Sequence, residues 1–251
     1  ELVAQKIPAT DPGADLARAW VQRHQAGGQA GLFFPQRLHG VCIRRHALEG
    51  LGVVQARFDR AIALFDAANA EDPNQDQGQP KELLYAQRMT EMIGRYAPEA
   101  SEAAQLAVRA QHIKRWTVPR SSYPMTKEGY HAWRTGLYKF HAETAGELMR
   151  QAGYDQEMID KVKMAVGKRQ LKVNADTQMM EDVTDLVFIE HYMLGFAGQH
   201  AEYSEEKWLD IVRKTWKKMS DRAHAFATGG GIKLPEPLVP LILKAVTEET
   251  K

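Results

Sequence analysis

The chain has 251 residues, of which 44% are hydrophobic and 26% charged, as expected of an ordinary globular protein. Lys and Arg number 33 against 32 Asp and Glu, so no overall basic or acidic field marks a bulk nucleic-acid binder. A nucleic-acid partner stays open but is not indicated by net charge.

Residues 1–54 differ from the rest of the chain. They carry Gly-Gly, Pro8, Pro12 and Pro35, and a single good helical pattern near Asp15–His24. Gly31-Leu-Phe-Phe-Pro and Val41-Cys-Ile-Arg read as short strands or an extended arm. An N-terminal extension is expected, with a small separate module as the alternative. The single cysteine, Cys42, can form neither an internal disulfide nor a thiolate zinc site. A reduced, cytoplasmic setting is therefore the expectation. Because the chain begins at Glu1 rather than Met, a removed signal peptide is left open.

From about Arg57 the pattern turns helical, and a main domain is expected over 55–227. Phe58, Ile62 and Phe65 mark a first helix, followed by a polar loop from Asn69 to Pro80. A second helix runs to about Tyr96, with Leu84, Met89, Met92 and Ile93 inward. A third runs from Pro98 to Trp116, and a loop over 117–125 holds two prolines. A fourth runs from about Thr126 to Gln151 and is stopped by Gly153. Asp155–Lys168 and Thr177–Phe196 read as the fifth and sixth, the sixth being the most apolar. Ser204 caps a seventh, whose buried stripe is Trp208, Ile211, Thr215 and Met219. Gly229-Gly-Gly makes a joint in the segment 228–251, before a short helix near Pro237–Val246. No apolar run reaches the ~18 residues that cross a bilayer, so no membrane partner is expected.

Chemistry-bearing residues concentrate between Gln111 and Glu143. Residues three, four or seven apart share a helix face. By that rule Arg134, Tyr138 and His141 line up on the fourth helix, and Val108, His112 and Trp116 on the third. Gln178, Asp182 and Asp185 line up on the sixth. A buried carboxylate at Asp182 needs a partner: a cation, a histidine or a metal. His112, His141 and Asp182 are therefore candidate ligands for a first-row divalent metal ion, or candidate acid–base groups. Against this stands the plain reading of each histidine as a hydrogen-bonded structural residue.

The arginines make a second candidate. Arg115, Arg120 and Arg134 could hold a phosphate or carboxylate in forked geometry. Trp116, Tyr123, Tyr130 and Trp133 would wall such a pocket or stack on a ring. The alternative is a structural knot in which these arginines pair with Glu181, Asp182, Asp185 and loop carbonyls. The methionines Met89, Met92, Met179, Met180 and Met193 have the spacing of core fillers. No Gly-rich phosphate loop, Gly-x-Ser-x-Gly elbow or His-Glu-x-x-His motif occurs.

Several segments together carry a resemblance. They are Arg57–Asp66, Tyr85-Ala-Gln-Arg-Met, Gln111-His-Ile-Lys-Arg-Trp, Pro119-Arg-Ser-Ser-Tyr-Pro, Gly129-Tyr-His-Ala-Trp-Arg, His141 and Glu181-Asp182-Val183. Over about residues 56–226 the chain resembles the bacterial and fungal family called domain of unknown function 4202, and a bacterial source is the expectation. A remoter similarity is to the HD superfamily of helical metal-dependent phosphohydrolases. There His112, His141 and Asp182 would match ligand positions. Ile113 stands where that pattern has an Asp, and Tyr85 or Arg88 where it has its first His. The resemblance implies an HD-like helical fold with a remodelled site.

The expectation is thus an all-α body with an irregular N-terminal arm. It acts on, or binds, a small anionic molecule, phosphorylated or nucleotide-like. A metal-dependent phosphohydrolase-like enzyme is one form of this. A non-catalytic module for a metabolite, RNA or protein is the other. Oligomeric state is not legible.

Overall fold

The computed structural model describes residues 45–248, and these are almost wholly helical. The Asp15–His24 pattern, both candidate strands and Cys42 lie outside the described residues. Contacts divide the described chain into two compact units, 45–184 and 185–248.

In the first unit, α1 spans Arg45–Ala70, so it begins well before the expected start near Arg57. It buries Ala61, Phe65 and Ala68. The polar loop after it is ordered by Asp72. Its carboxylate accepts from the Asn74 backbone and side chain, and from Glu82 N at the start of the next helix. Between these points lies a hairpin, β1 (Gln75–Asp76) with β2 (Gln79–Pro80). Gln77 and Gly78 both take positive φ, 51° and 76°, as a tight two-residue turn requires.

Helix α2 is Lys81–Tyr96 and buries the expected Leu84, Met89, Met92 and Ile93, along with Tyr85. Helix α3, Glu102–Ala110, is capped by Ser101, whose hydroxyl accepts from Ala104 N. It stops six residues short of the expected end at Trp116. Lys114 adopts a left-handed conformation (φ 51°), and its N–H is taken by the Asn69 side chain. The chain leaves the helix there and continues through short 3-10 turns at Arg115–Thr117 and Arg120–Ser122. The expected alignment of Val108, His112 and Trp116 on one helix face is therefore corrected.

Helix α4, Lys127–Ala152, starts on a Thr126 cap and ends at Gly153, whose φ of 94° suits glycine. Gly129 is needed for a different reason. A Cβ there would sit 2.1 Å from the Pro124 carbonyl oxygen, so the preceding loop packs directly on this helix. Helix α5 is Gln156–Val166, capped by Asp155. In the turn after it, Lys168, Gln170 and Lys172 all have positive φ. Helix α6 is Ala175–Val187, its first turn tied by Asn174 to Thr177 N. Helices α4 and α3 pack on α5, α1 on α4, and α2 on α3. Phe65, Met89, Leu106, Ile113, Met149 and Ile159 fill the space between them. Each such side chain contributes about 1.5–3 kcal/mol by leaving water.

In the second unit, a π turn (Phe188–Tyr192) leads into α7, Met193–Gln199. Then come α8 (Glu205–Lys218), α9 (Asp221–Phe226) and α10 (Val239–Glu248). Ser204 caps α8 as expected. The buried stripe of α8 is Trp208, Leu209, Val212 and Thr215, shifted from the expected one because Ile211 is only half-buried. Lys218 pairs with the buried Asp185 at 2.6 Å, and α10 packs on α8. Among the described residues no helix is long and apolar enough to cross a membrane.

Candidate functional site

The polar residues of the first unit converge where the chain leaves α3. His141, on α4, is 3% exposed. Its Nδ1 lies 2.8 Å from the carbonyl oxygen of Ile113. A carbonyl only accepts, so Nδ1 carries the proton and Nε2 holds a lone pair. That Nε2 is buried and has no hydrogen-bond partner within the protein. Burial, and then neighbouring His112, pull the His141 pKa down to about 3, so the ring is neutral at physiological pH.

The His112 ring lies 5.9 Å from that of His141 and stacks on Tyr85 at 4.1 Å. Arg115 Nη1 donates to His112 Nε2 at 2.7 Å. Guanidinium nitrogens never accept, so the His112 proton sits on Nδ1, 3.3 Å from Glu82 Oε2. The His112 pKa lies well below its usual value. Burial is the main cause, followed by the charges of Arg115, Lys168, Arg134 and Lys81. Four cations thus act on one neutral ring. Glu82 is 7% exposed, and burial raises its pKa to about 7, against the opposing pull of Arg115 and Lys81. Tyr85 completes the cluster by donating its hydroxyl to Gln111.

The expected aromatics and arginines surround this cluster with distinct roles. Arg115 lies 5.3 Å over the Trp133 ring, whose Nε1 donates to Val118 O. Arg134 is exposed and reaches Tyr138 and Tyr130, one turn away on either side. Lys168 lies over the Tyr138 ring and pairs with the buried Glu181. Arg120 instead clamps its own loop, donating to the carbonyls of Tyr123, Pro124 and Thr126. Tyr123 is half-buried, its hydroxyl close to Gly136. Trp116 is half-buried on the 3-10 turn after His112.

Asp182 is buried as expected, and it accepts from the Tyr96 hydroxyl at 2.9 Å and from Gln178 at 2.8 Å. Its neighbours Glu181 and Asp185 pair with lysines, Lys168 and Lys218, where arginines were considered. Among the described residues no three His, Cys, Asp or Glu side chains are grouped to hold a metal ion. His112 moreover has one nitrogen occupied by a guanidinium, the group least compatible with a cation beside it. The residues present do not fit the expected metal.

Glu82 and Lys168 escaped the sequence reading. A signal for Glu82 existed: it shares the spacing of Tyr85 and Met89 on the inward face of α2. Lys168 offered none, because its position depends on a left-handed turn at a non-glycine residue.

The chain matches the family described as domain of unknown function (DUF4202) over residues 59–242. It belongs to that family. The DUF4202 match reaches further along the chain than the motifs suggested and takes in residues 228–242. No curated protein matches the chain. Nor does any solved structure, so the HD-like expectation rests on sequence pattern alone.

Proposed function

We propose that this DUF4202 protein binds a small phosphorylated molecule at the Glu82–His112–Arg115–His141 cluster and that His141 engages it as an acid–base group. The observation that carries this reading is His141 itself. Its tautomer is fixed by Ile113 and its Nε2 is buried without a partner. Such an acceptor costs about 1–3 kcal/mol when left unmade. Fixing one imidazole nitrogen so that the other is presented to a ligand is how histidine is oriented for chemistry. The charges of Arg115, Lys168, Arg134 and Lys81, which act on the neighbouring His112, favour an anion on that side of the cluster. Arg115 and Trp133 supply a flat cation–ring surface at its edge.

The test is a thermal-shift screen of phosphorylated metabolites and inorganic phosphate on wild type, Arg115→Ala and Arg134→Ala. Specific binding raises the melting temperature by mass action, and both variants should lose the shift. Hits that survive both substitutions would place the ligand elsewhere. A second reading, phosphate-ester hydrolysis, is favoured by Glu82, which holds its proton near neutrality beside a neutral histidine. Phosphate release that disappears in Glu82→Gln while binding persists would support it. Binding without release makes the site a non-catalytic module.

A further inference from the structure

The two halves of the cluster ask for different chemical groups. Around His112 stand four cations, Arg115, Lys168, Arg134 and Lys81, with the Glu82 carboxyl on the Nδ1 side at 3.3 Å. At His141 the unused valence is a buried lone pair. Nδ1–H is committed to the Ile113 carbonyl, which leaves Nε2 as an acceptor with nothing donating to it. A phosphate oxygen at Nε2 would set lone pair against lone pair. Adding a proton to Nε2 is opposed chiefly by burial, then by neighbouring His112 and by the Arg115 charge. An anion therefore belongs with the guanidinium and ammonium groups, and Nε2 calls for an O–H or N–H donor.

We propose that the ligand of this site is a phosphate monoester that also carries a free hydroxyl, which donates to His141 Nε2 while Arg115 and Arg134 hold the phosphate. This inference rests on phosphate binding at the cluster and adds the second functional group. A site built around a buried acceptor discriminates strongly against an analogue that cannot donate to it. The hydroxyl is worth about tenfold or more in affinity.

The experiment compares sn-glycerol 3-phosphate with n-propyl phosphate, which has the same carbon number and no hydroxyl. Both are titrated calorimetrically into wild type and into His141→Asn. The Asn amide keeps a donor near the Ile113 carbonyl and removes the Nε2 acceptor. His141→Phe, which removes both ring nitrogens, serves as a second variant if His141→Asn does not fold, as judged by circular dichroism. The expected result is a preference of about tenfold or more for the hydroxyl compound in wild type. The two affinities should become equal in the variant. Equal affinities in wild type overturn the hydroxyl inference and leave the anion site standing. A preference that survives in the folded variant overturns it too, because the hydroxyl is then read elsewhere. No binding of either compound, or of inorganic phosphate, overturns the inference together with the reading beneath it.

Discussion

Replacing Glu82 with Gln should make the protein more stable at pH 8 while changing little at pH 5. In the folded protein Glu82 is almost fully buried and its pKa rises from 4.5 to about 7. The groups acting on it are Arg115, Lys81, Asp72 and His141, and burial outweighs the two cations. A carboxyl with a raised folded pKa gives stability that is full below the unfolded pKa and is lost as pH rises through the folded one. The window is therefore about pH 4.5 to 7. Integrating across it, the ionising Glu82 removes about 2–3 kcal/mol between pH 5 and 8. Gln keeps the shape and hydrogen-bonding reach toward His112 but has no charge to bury. His112 and His141 work in the opposite direction. Their lowered pKa values give stability that is present above 6.5 and is lost as pH falls. The wild-type curve alone therefore mixes the two effects, and the difference between wild type and Glu82→Gln separates them. Urea unfolding followed by circular dichroism at several pH values gives that difference. It should swing by about 2–3 kcal/mol in favour of the variant from pH 5 to 8. A difference that stays flat across this range would refute the claim that Glu82 is held protonated by burial.

Three further substitutions probe the packing around the site. Arg109→Ala removes a guanidinium that forks onto Asp66 at 2.7 and 2.6 Å and also reaches Thr90. It should cost about 3 kcal/mol in urea unfolding, and a loss below about 0.5 kcal/mol would contradict the pairing. Tyr96→Phe takes the hydroxyl from buried Asp182, and the expected loss is about 1–3 kcal/mol in the same assay. Gly129→Ala drives a methyl group onto the Pro124 carbonyl, so either helix or loop must shift. A loss of about 2 kcal/mol is expected, with faster proteolysis in the loop over 117–126; unchanged stability would mean that the contact is not close.

The helical fold was legible because its signals are local. Ser101, Thr126, Asp155 and Ser204 cap their helices from the preceding residue, and Gly153 stops α4 with a left-handed turn. Met89, Met92, Met180 and Met193 are buried, as their spacing required, while Met179 is only half-buried. The site was half legible. His112, Arg115 and His141 do come together, but the break after Ala110 that turns His112 toward Glu82 was hidden. It depends on Asn69, far away in sequence, taking the N–H of Lys114. Helical periodicity carries no information about such a contact. Asp182 shows the same limit. Its buried carboxylate was read correctly as needing a partner, yet the partners that the structure supplies include a tyrosine hydroxyl from α2 and an amide one turn back on α6.

The central claim is that His141 Nε2 and the cations beside it receive a small phosphorylated ligand. Nitrogen-15 spectra of histidine-labelled protein address it most directly, because they report the tautomer and the hydrogen bonding of the His141 ring. Two neutral rings protonated at Nδ1 are expected, those of His112 and His141, and the His141 signals are the ones absent from His141→Asn. The His141 Nε2 signal should move saturably as sn-glycerol 3-phosphate is added, and should not move in Arg115→Ala. A His141 ring protonated on both nitrogens at neutral pH would contradict the account. So would an Nε2 signal that stays fixed while the ligand binds.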